Sequence, residues 1–403
     1  MDMVPGLIGI GAQRIISSDA HIIEPPDLWT SRVDRRLRDR APRVERIGGN
    51  DWWVYDGARI GSVSGRRRRS GSLVMDDRDL ASRGAVLTHS VFEDVDPAAY
   101  TPSLYLEANR ADGIAGAVIR PTQGITNYCI TDPEMFGAIC RAYNDWISDF
   151  CSEDPNSLKG IAMLNCYDPE DAVRELVRAR ALGLVGGMIS CYPGSERNYG
   201  HPCYDTLWAA AEEYRFPISL HVLTNFNGPY GVPFAEVNYS LRVNADHWVR
   251  MSLADMIFAG VFERYPDLMI ESSEHEGGWV PYFLWQMDWT WEKRIRKRQQ
   301  SAAIAHPPSH YFRRNVYVSI IYDRLAIEAR ETIGVDRLMW GSDFPHEQST
   351  QPHSRAFLSD LMQEVPSPDV AAILFDNAAR LFGFDPRLGL EKDMMTAERL
   401  TTR

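Results

Sequence analysis

The sequence predicts an α/β barrel, a (β/α)8 TIM-type fold, with an insertion between its first and second strands. Three observations carry that expectation. Eight short runs recur along the chain, mostly apolar on both faces, as strands buried in a parallel sheet are. Segments of helical apolar spacing separate them. The chain has 403 residues, which suits a barrel carrying insertions. A doubly wound open sheet is the main alternative for the same alternation.

The eight runs are Ile15 to His21, Ala115 to Arg120, Lys159 to Asn165, Val185 to Ser190, Pro217 to Val222, Leu268 to Ser273, Val316 to Ile320 and Arg337 to Gly341. Each is bounded by Gly, Pro or polar residues. Pro169 to Leu182 (PEDAVRELVRARAL) has an acidic first turn and Gly183 as its stop, the signature of an amphipathic helix. Tyr204 to Tyr214 and Leu253 to Tyr265 repeat the design. About 90 residues separate the first strand from the second, far more than an ordinary connection. Within them WWVYDGARIGSV reads as a β-hairpin turning at Asp56-Gly57. Arg66 to Arg69, flanked by Gly and Ser, reads as a solvated loop; the alternative is an arginine closing over a substrate carboxylate. The barrel is therefore expected over 14–385, its insertion over 33–110, and a tail over 386–403.

Composition narrows the class. Apolar residues make up 44% and charged residues 24%, as in globular proteins. There are 43 basic and 55 acidic residues, a net charge of −12, which argues against nucleic acid as a partner. No stretch approaches the ~20 consecutive apolar residues of a membrane span. The opening MDMVPGLIGIGAQR lacks the basic and long apolar regions of a signal peptide. The six cysteines include no CxxC pair and read as reduced thiols. A cytoplasmic enzyme is the expectation.

In a barrel, catalytic groups project from the C-terminal ends of the strands. The first strand ends in Asp19-Ala20-His21, and residues i and i+2 of a strand share a face. The fifth ends in His221. The sixth runs into Glu274-His275-Glu276-Gly277-Gly278. The eighth runs into Asp343, within WGSDFPH. A closed barrel brings these ends to one mouth. Each alone is weak, because a strand histidine is often structural and an Asp after a strand is often a helix cap. Together, two imidazoles and two carboxylates suit a divalent ion such as Zn2+, with Mn2+ as the alternative. One histidine is left over.

The motifs DAHIIEPPDLW, SLHV, SSEHEGGWVPYFLWQMDW and RLMWGSDFPH resemble the amidohydrolase superfamily. They resemble in particular its branch containing aminocarboxymuconate-semialdehyde decarboxylase and γ-resorcylate decarboxylase. LWAAAEEYRFPISLH, GVFERYPDLMI and FDNAARLFGF add to the match, which spans about residues 14 to 385. The resemblance implies Asp19, His21, His221 and Asp343 as metal ligands, and His275 as a catalytic histidine beside them. It departs at Asp19, where the superfamily has His or Glu; the shorter Asp reaches the ion directly or through water. It also implies a homodimer and a small-molecule carboxylate substrate.

Two chemistries follow. In nonoxidative decarboxylation the metal anchors a substrate oxygen, and His275 or Asp343 protonates the carbon that loses CO2. In hydrolysis of an amide, lactone or C–C bond, Asp343 takes a proton from a metal-bound water. A non-catalytic barrel is the third reading. Glu24, Glu274 and His346 are expected behind the ligands or against substrate. Of Glu274 and Glu276, one is expected to orient His275 and the other to be structural. Asn165 and Arg120 are candidates for the pocket wall. The aromatic stretch Trp279 to Trp291 has helical spacing, suiting either core or a dimer surface.

Overall fold

The computed structural model describes residues 10, 13–63, 91–225, 240, 243–296 and 303–390. The Arg66–Arg69 loop and the tail beyond residue 390 lie outside the described residues. Eight parallel strands form the barrel: β1 (Ile16–Ile22), β5 (Gly116–Pro121), β6 (Leu158–Met163), β7 (Gly186–Ser190), β8 (Ile218–His221), β9 (Ile270–Ser273), β10 (Val316–Ile320) and β11 (Leu338–Trp340). Their spatial order is their chain order. Each overlaps one of the runs read from the sequence. Nearly every residue in them is buried, because helices cover the outside and side chains fill the inside.

The ring is completed between β11 and β1 by bonds just past the end of β11. Asp343 N donates to Asp19 O at 3.0 Å, and His21 N donates to Phe344 O at 2.6 Å. Ser342 N donates to Ser17 Oγ at 2.8 Å. Gly341 makes this approach possible: a Cβ there would sit 2.5 Å from Asp19 Cβ and 2.9 Å from its backbone.

The insertion carries a three-stranded antiparallel sheet, β2 (Arg43–Ile47), β3 (Asn50–Tyr55) and β4 (Ala58–Ser62). Asp56 and Gly57 both have positive φ, 46° and 76°, the geometry a two-residue hairpin turn requires. The turn before it, Gly48-Gly49, was not anticipated. The sheet lies against the turn that follows β5, since a Cβ on Gly61 would meet Gln123 Oε1 at 2.8 Å. Trp53 packs edge-on to Trp29, ring centres 5.0 Å apart. The described sheet of the insertion thus packs against the turn after β5 and the helix after β1.

The helices over Pro169–Ala181 and Asp205–Glu213 match the spacing in the sequence. The third expected helix, Leu253 to Tyr265, is instead two: Asp246–Phe258 and Val261–Arg264. Gly260 breaks it with a left-handed φ of 72°. The helix Val280–Thr290 divides its aromatic stripe. Val280, Phe283, Leu284 and Met287 are buried, while Tyr282, Trp285 and Trp289 are exposed. All six cysteines are free, and no helix among the described residues is long and apolar enough to cross a membrane.

Candidate metal centre

The barrel mouth gathers ligand atoms from three strand ends. One ligand atom each from Asp19, His21, His221 and Glu274 lies within 4.8 Å of the others. His21 Nε2 is 3.5 Å from Asp19 Oδ1 and 3.5 Å from Asp343 Oδ1. His221 Nε2 is 3.6 Å from Asp19 Oδ2 and 3.4 Å from Glu274 Oε2. Four ligands each ~2.1 Å from one ion stand ~3.4 Å apart in a tetrahedron, so these separations suit a shared centre. Asp343 stands beside it.

The tautomers decide what these imidazoles offer. His21 Nδ1 faces Pro121 O at 2.9 Å, and His221 Nδ1 faces Val222 O at 2.9 Å. A carbonyl only accepts, so each Nδ1 carries the proton and each Nε2 presents a lone pair. Both Nε2 atoms are buried without a hydrogen-bond partner. Two orphaned lone pairs facing carboxylates are costly unless something positive sits between them. A ligand histidine tied through its other nitrogen is the arrangement metal sites use. Burial, then the neighbouring His346, holds His21 well below its ordinary pKa, so it is neutral. Burial alone would push the Asp19 carboxyl up. The Arg120 guanidinium beside it more than offsets this and holds it well below the usual carboxylate range.

His275 stands apart from that quartet. Its Nδ1 lies 3.2 Å from Ser272 Oγ, and its Nε2 is buried with no partner. Burial pushes it down to about 3. Neither flanking glutamate hydrogen-bonds its ring; Ser272 does. Glu274 turns to the metal centre and also takes a hydrogen bond from Gln348. Glu276 accepts Ile321 N and Tyr322 N, each at 3.2 Å, and braces the loop. The backbone needed is strained: Leu223, Glu274, Glu276 and Asp343, all just past strand ends, have φ between 54° and 66°. Such outliers gather where a site over-determines the chain.

Asp323 pins this loop. It accepts Gly277 N at 2.8 Å, Gly278 N at 2.5 Å and Ala326 N at 2.9 Å. Asp323→Ala removes a helix cap and two loop bonds together. A stability loss of about 2–3 kcal/mol in urea unfolding is expected, with an increase in hydrogen exchange at Gly277 and Gly278. Unchanged exchange there would show that the loop is held by other contacts.

His346 is placed behind Asp343. Its Nδ1 meets Asp343 Oδ1 at 2.6 Å and its Nε2 meets Thr122 Oγ1 at 2.9 Å. Burial lowers its pKa, but Asp343 outweighs that and the net shift is upward. Both nitrogens are thus engaged, and one ligand atom each of His21, Asp343 and His346 lies within 4.8 Å of the others. Asp343 Oδ2 is left buried and without a partner. Glu24 acts at one remove: it accepts Gln123 N at 3.0 Å, Gly124 N at 2.9 Å and Thr122 N at 3.4 Å. That turn presents Pro121 O to His21. Burial raises Glu24 to about 7. Arg120 lies inside the barrel against Asp19, and Asn165 braces its own loop, with Nδ2 donating to Pro133 O at 2.9 Å. The roles of Ser273, Ser272 and Glu271 had no signal in the sequence beyond their place on a buried strand.

A model of the amidohydrolase family matches residues 93–384. The chain belongs to the amidohydrolase family. Among curated relatives it is similar to a γ-resorcylate decarboxylase of Polaromonas sp. strain JS666. The two are 25% identical over 241 residues, 54% of this chain and 69% of the relative. Its fold is shared with an amidohydrolase from Mycobacterium avium subsp. paratuberculosis K-10, at a TM-score of 0.75 and 22% identity, covering 92% of this chain and 100% of that one. It is also shared with a 5-carboxyvanillate decarboxylase of Novosphingobium aromaticivorans DSM 12444, at 0.64 and 18%, covering 92% and 96%. That structure holds manganese and 4-hydroxy-3-methoxy-5-nitrobenzoic acid. The matched span includes the motifs at β8, β9 and β11; the motif at β1 precedes it.

Proposed function

We propose that this amidohydrolase-family chain is a metal-dependent, nonoxidative decarboxylase of an aromatic or unsaturated carboxylic acid, working as a homodimer. The observation that carries the reading is the pair of bare, buried Nε2 lone pairs on His21 and His221, set against Asp19 and Glu274 with Asp343 alongside. Decarboxylation is favoured over hydrolysis because the relatives named above include two aromatic-acid decarboxylases.

Asp19, His21, His221 and Glu274 would hold one divalent ion, with Asp343 at its edge. Zn2+ accepts such donors, but three carboxylates in or beside the set favour the harder Mn2+, which the 5-carboxyvanillate enzyme also binds. When bound, the ion supplies positive charge against negative charge growing on a substrate oxygen.

The protein's own groups then divide the work. Loss of CO2 breaks the bond to the carboxyl carbon and leaves its electron pair on the remaining carbon, which must gain a proton. Asp343 relays that proton through Oδ2, taking it from solvent and regaining one from solvent after each turnover, while His346 holds Oδ1. His275, neutral in its buried setting, presents Nε2 to a substrate oxygen as a hydrogen-bonding and orienting group. The burial of Asp343 and His275 strengthens each interaction they make.

The dimer reading rests on the exposed Tyr282, Trp285 and Trp289 along one helix face. Aromatic residues of this kind suit a self-complementary contact. The test of function is direct. Protein purified without chelator is incubated with hydroxybenzoates and unsaturated acids in D2O. CO2 release with one deuterium at the carbon that lost it is expected. Water-consuming turnover of an amide or lactone, without CO2, would replace this reading with the hydrolase one. Absence of both bound metal and turnover would leave a binding barrel.

A further inference from the structure

We propose that Arg120, Glu271 and Ser273 form a clamp inside the barrel that fixes the Asp19 carboxylate in its ligand orientation, making Arg120 a positioning residue for metal binding. The inference rests on the metal-centre reading above.

Asp19 is one methylene shorter than a glutamate, so its oxygens have little reach to spare. Both are held. Arg120 Nη1 donates to Asp19 Oδ1 at 3.1 Å and to Ser18 O at 2.7 Å. Ser273 Oγ donates to Asp19 Oδ2 at 2.7 Å. The donors come from β5 and from β9, so the carboxylate is gripped from two sides and cannot rotate. Each oxygen keeps lone-pair capacity for the centre, where His21 and His221 stand at 3.5 and 3.6 Å.

Arg120 is itself anchored. Its Nη2 donates to Glu271 Oε2, and that oxygen also accepts Ser219 Oγ at 2.8 Å. Arg120, Glu271 and Asp19 are all fully buried. A barrel interior is ordinarily filled by branched apolar side chains, and a buried charge pair adds little stability over apolar residues of the same volume. Packing alone therefore gives no reason for the pair. Positioning of Asp19 does.

Two effects of opposite sign meet in Arg120. Its charge repels a cation, while its hydrogen bond holds the ligand. Removing Arg120 alone mixes them and strands Glu271. The double variant Arg120→Met/Glu271→Leu removes both buried partners together, a change buried pairs often tolerate. Ser273→Ala deletes one hydrogen bond and little volume.

Mn2+ titration followed by electron paramagnetic resonance reads binding without reference to turnover, and thermal melting reports folding. The folded double variant is expected to bind Mn2+ about 10- to 100-fold more weakly, and Ser273→Ala about 3- to 10-fold more weakly, as loss of groups behind metal ligands does. The spectrum of the bound ion should broaden as Asp19 gains freedom. Folded variants that bind within twofold of the unmodified protein would overturn the clamp. If the double variant does not fold, Ser273→Ala decides alone. An unmodified protein that binds neither Mn2+ nor Zn2+ would overturn the metal centre itself, which is a separate result.

Discussion

His221→Ala is expected to leave the protein folded but without stoichiometric divalent metal, and to lower turnover by at least ~10^3-fold. The ring sits at the end of β8 and makes a single hydrogen bond, from Nδ1 to Val222 O. Its loss should therefore cost little of the barrel. What disappears is one of two orphaned Nε2 lone pairs facing the carboxylates. Elemental analysis after gel filtration, with circular dichroism for the fold, makes the measurement. His306→Ala, on a residue outside the site, serves as the control and should keep the metal. Retention of metal at unit stoichiometry by folded His221→Ala would remove His221 from the ligand set.

His275→Asn should give the opposite pattern: metal kept, activity reduced by about 10^2- to 10^4-fold. His275 is not among the residues whose ligand atoms cluster. Its free Nε2 lies in the same buried mouth and Nδ1 is occupied by Ser272. Asparagine keeps a polar group and removes the imidazole. If the role is orientation of substrate, KM should rise as kcat falls, and the pH profile should not lose a limb near neutrality, because the ring is already neutral well above a pKa of about 3. Loss of metal in this variant would mean that His275 is a ligand and that the division of roles is wrong.

Much of the site was readable along the chain because barrel geometry makes strand ends equivalent. Asp19 and His21 share a face at the end of β1, His221 ends β8, and Asp343 follows β11. Any closed ring of these strands brings them together. Glu274 was placed only as a neighbour. It stands one residue beyond β9 with a φ of 62°, and alternation along a strand says nothing about where a left-handed residue aims its side chain. The division of labour between Glu274 and Glu276 was undecided for the same reason. Glu276 turned outward to two amides of the next loop, while Glu274 turned inward. The His275 ring meets Ser272 Oγ, which no pattern along the strand indicates.

The break at Gly260 shows the same limit in a helix. Apolar spacing continues through it, yet a Cβ there would lie 2.5 Å from Ala303 O. A contact with a segment some forty residues away thus ended a pattern that locally reads as unbroken.

By itself the sequence determined the alternation of strands and helices and the hairpin at Asp56-Gly57, and it offered Asp19, His21, His221 and Asp343 as candidate ligands. These depend on local periodicity and on side-chain chemistry, which are written residue by residue. Only the tertiary structure decided which lone pairs are bare, which carboxylate oxygens are held, and that Arg120 from the neighbouring strand and Ser273 from across the barrel both bond to Asp19. Those are distances between β1, β5, β9 and β11, and they exist only once the ring is closed.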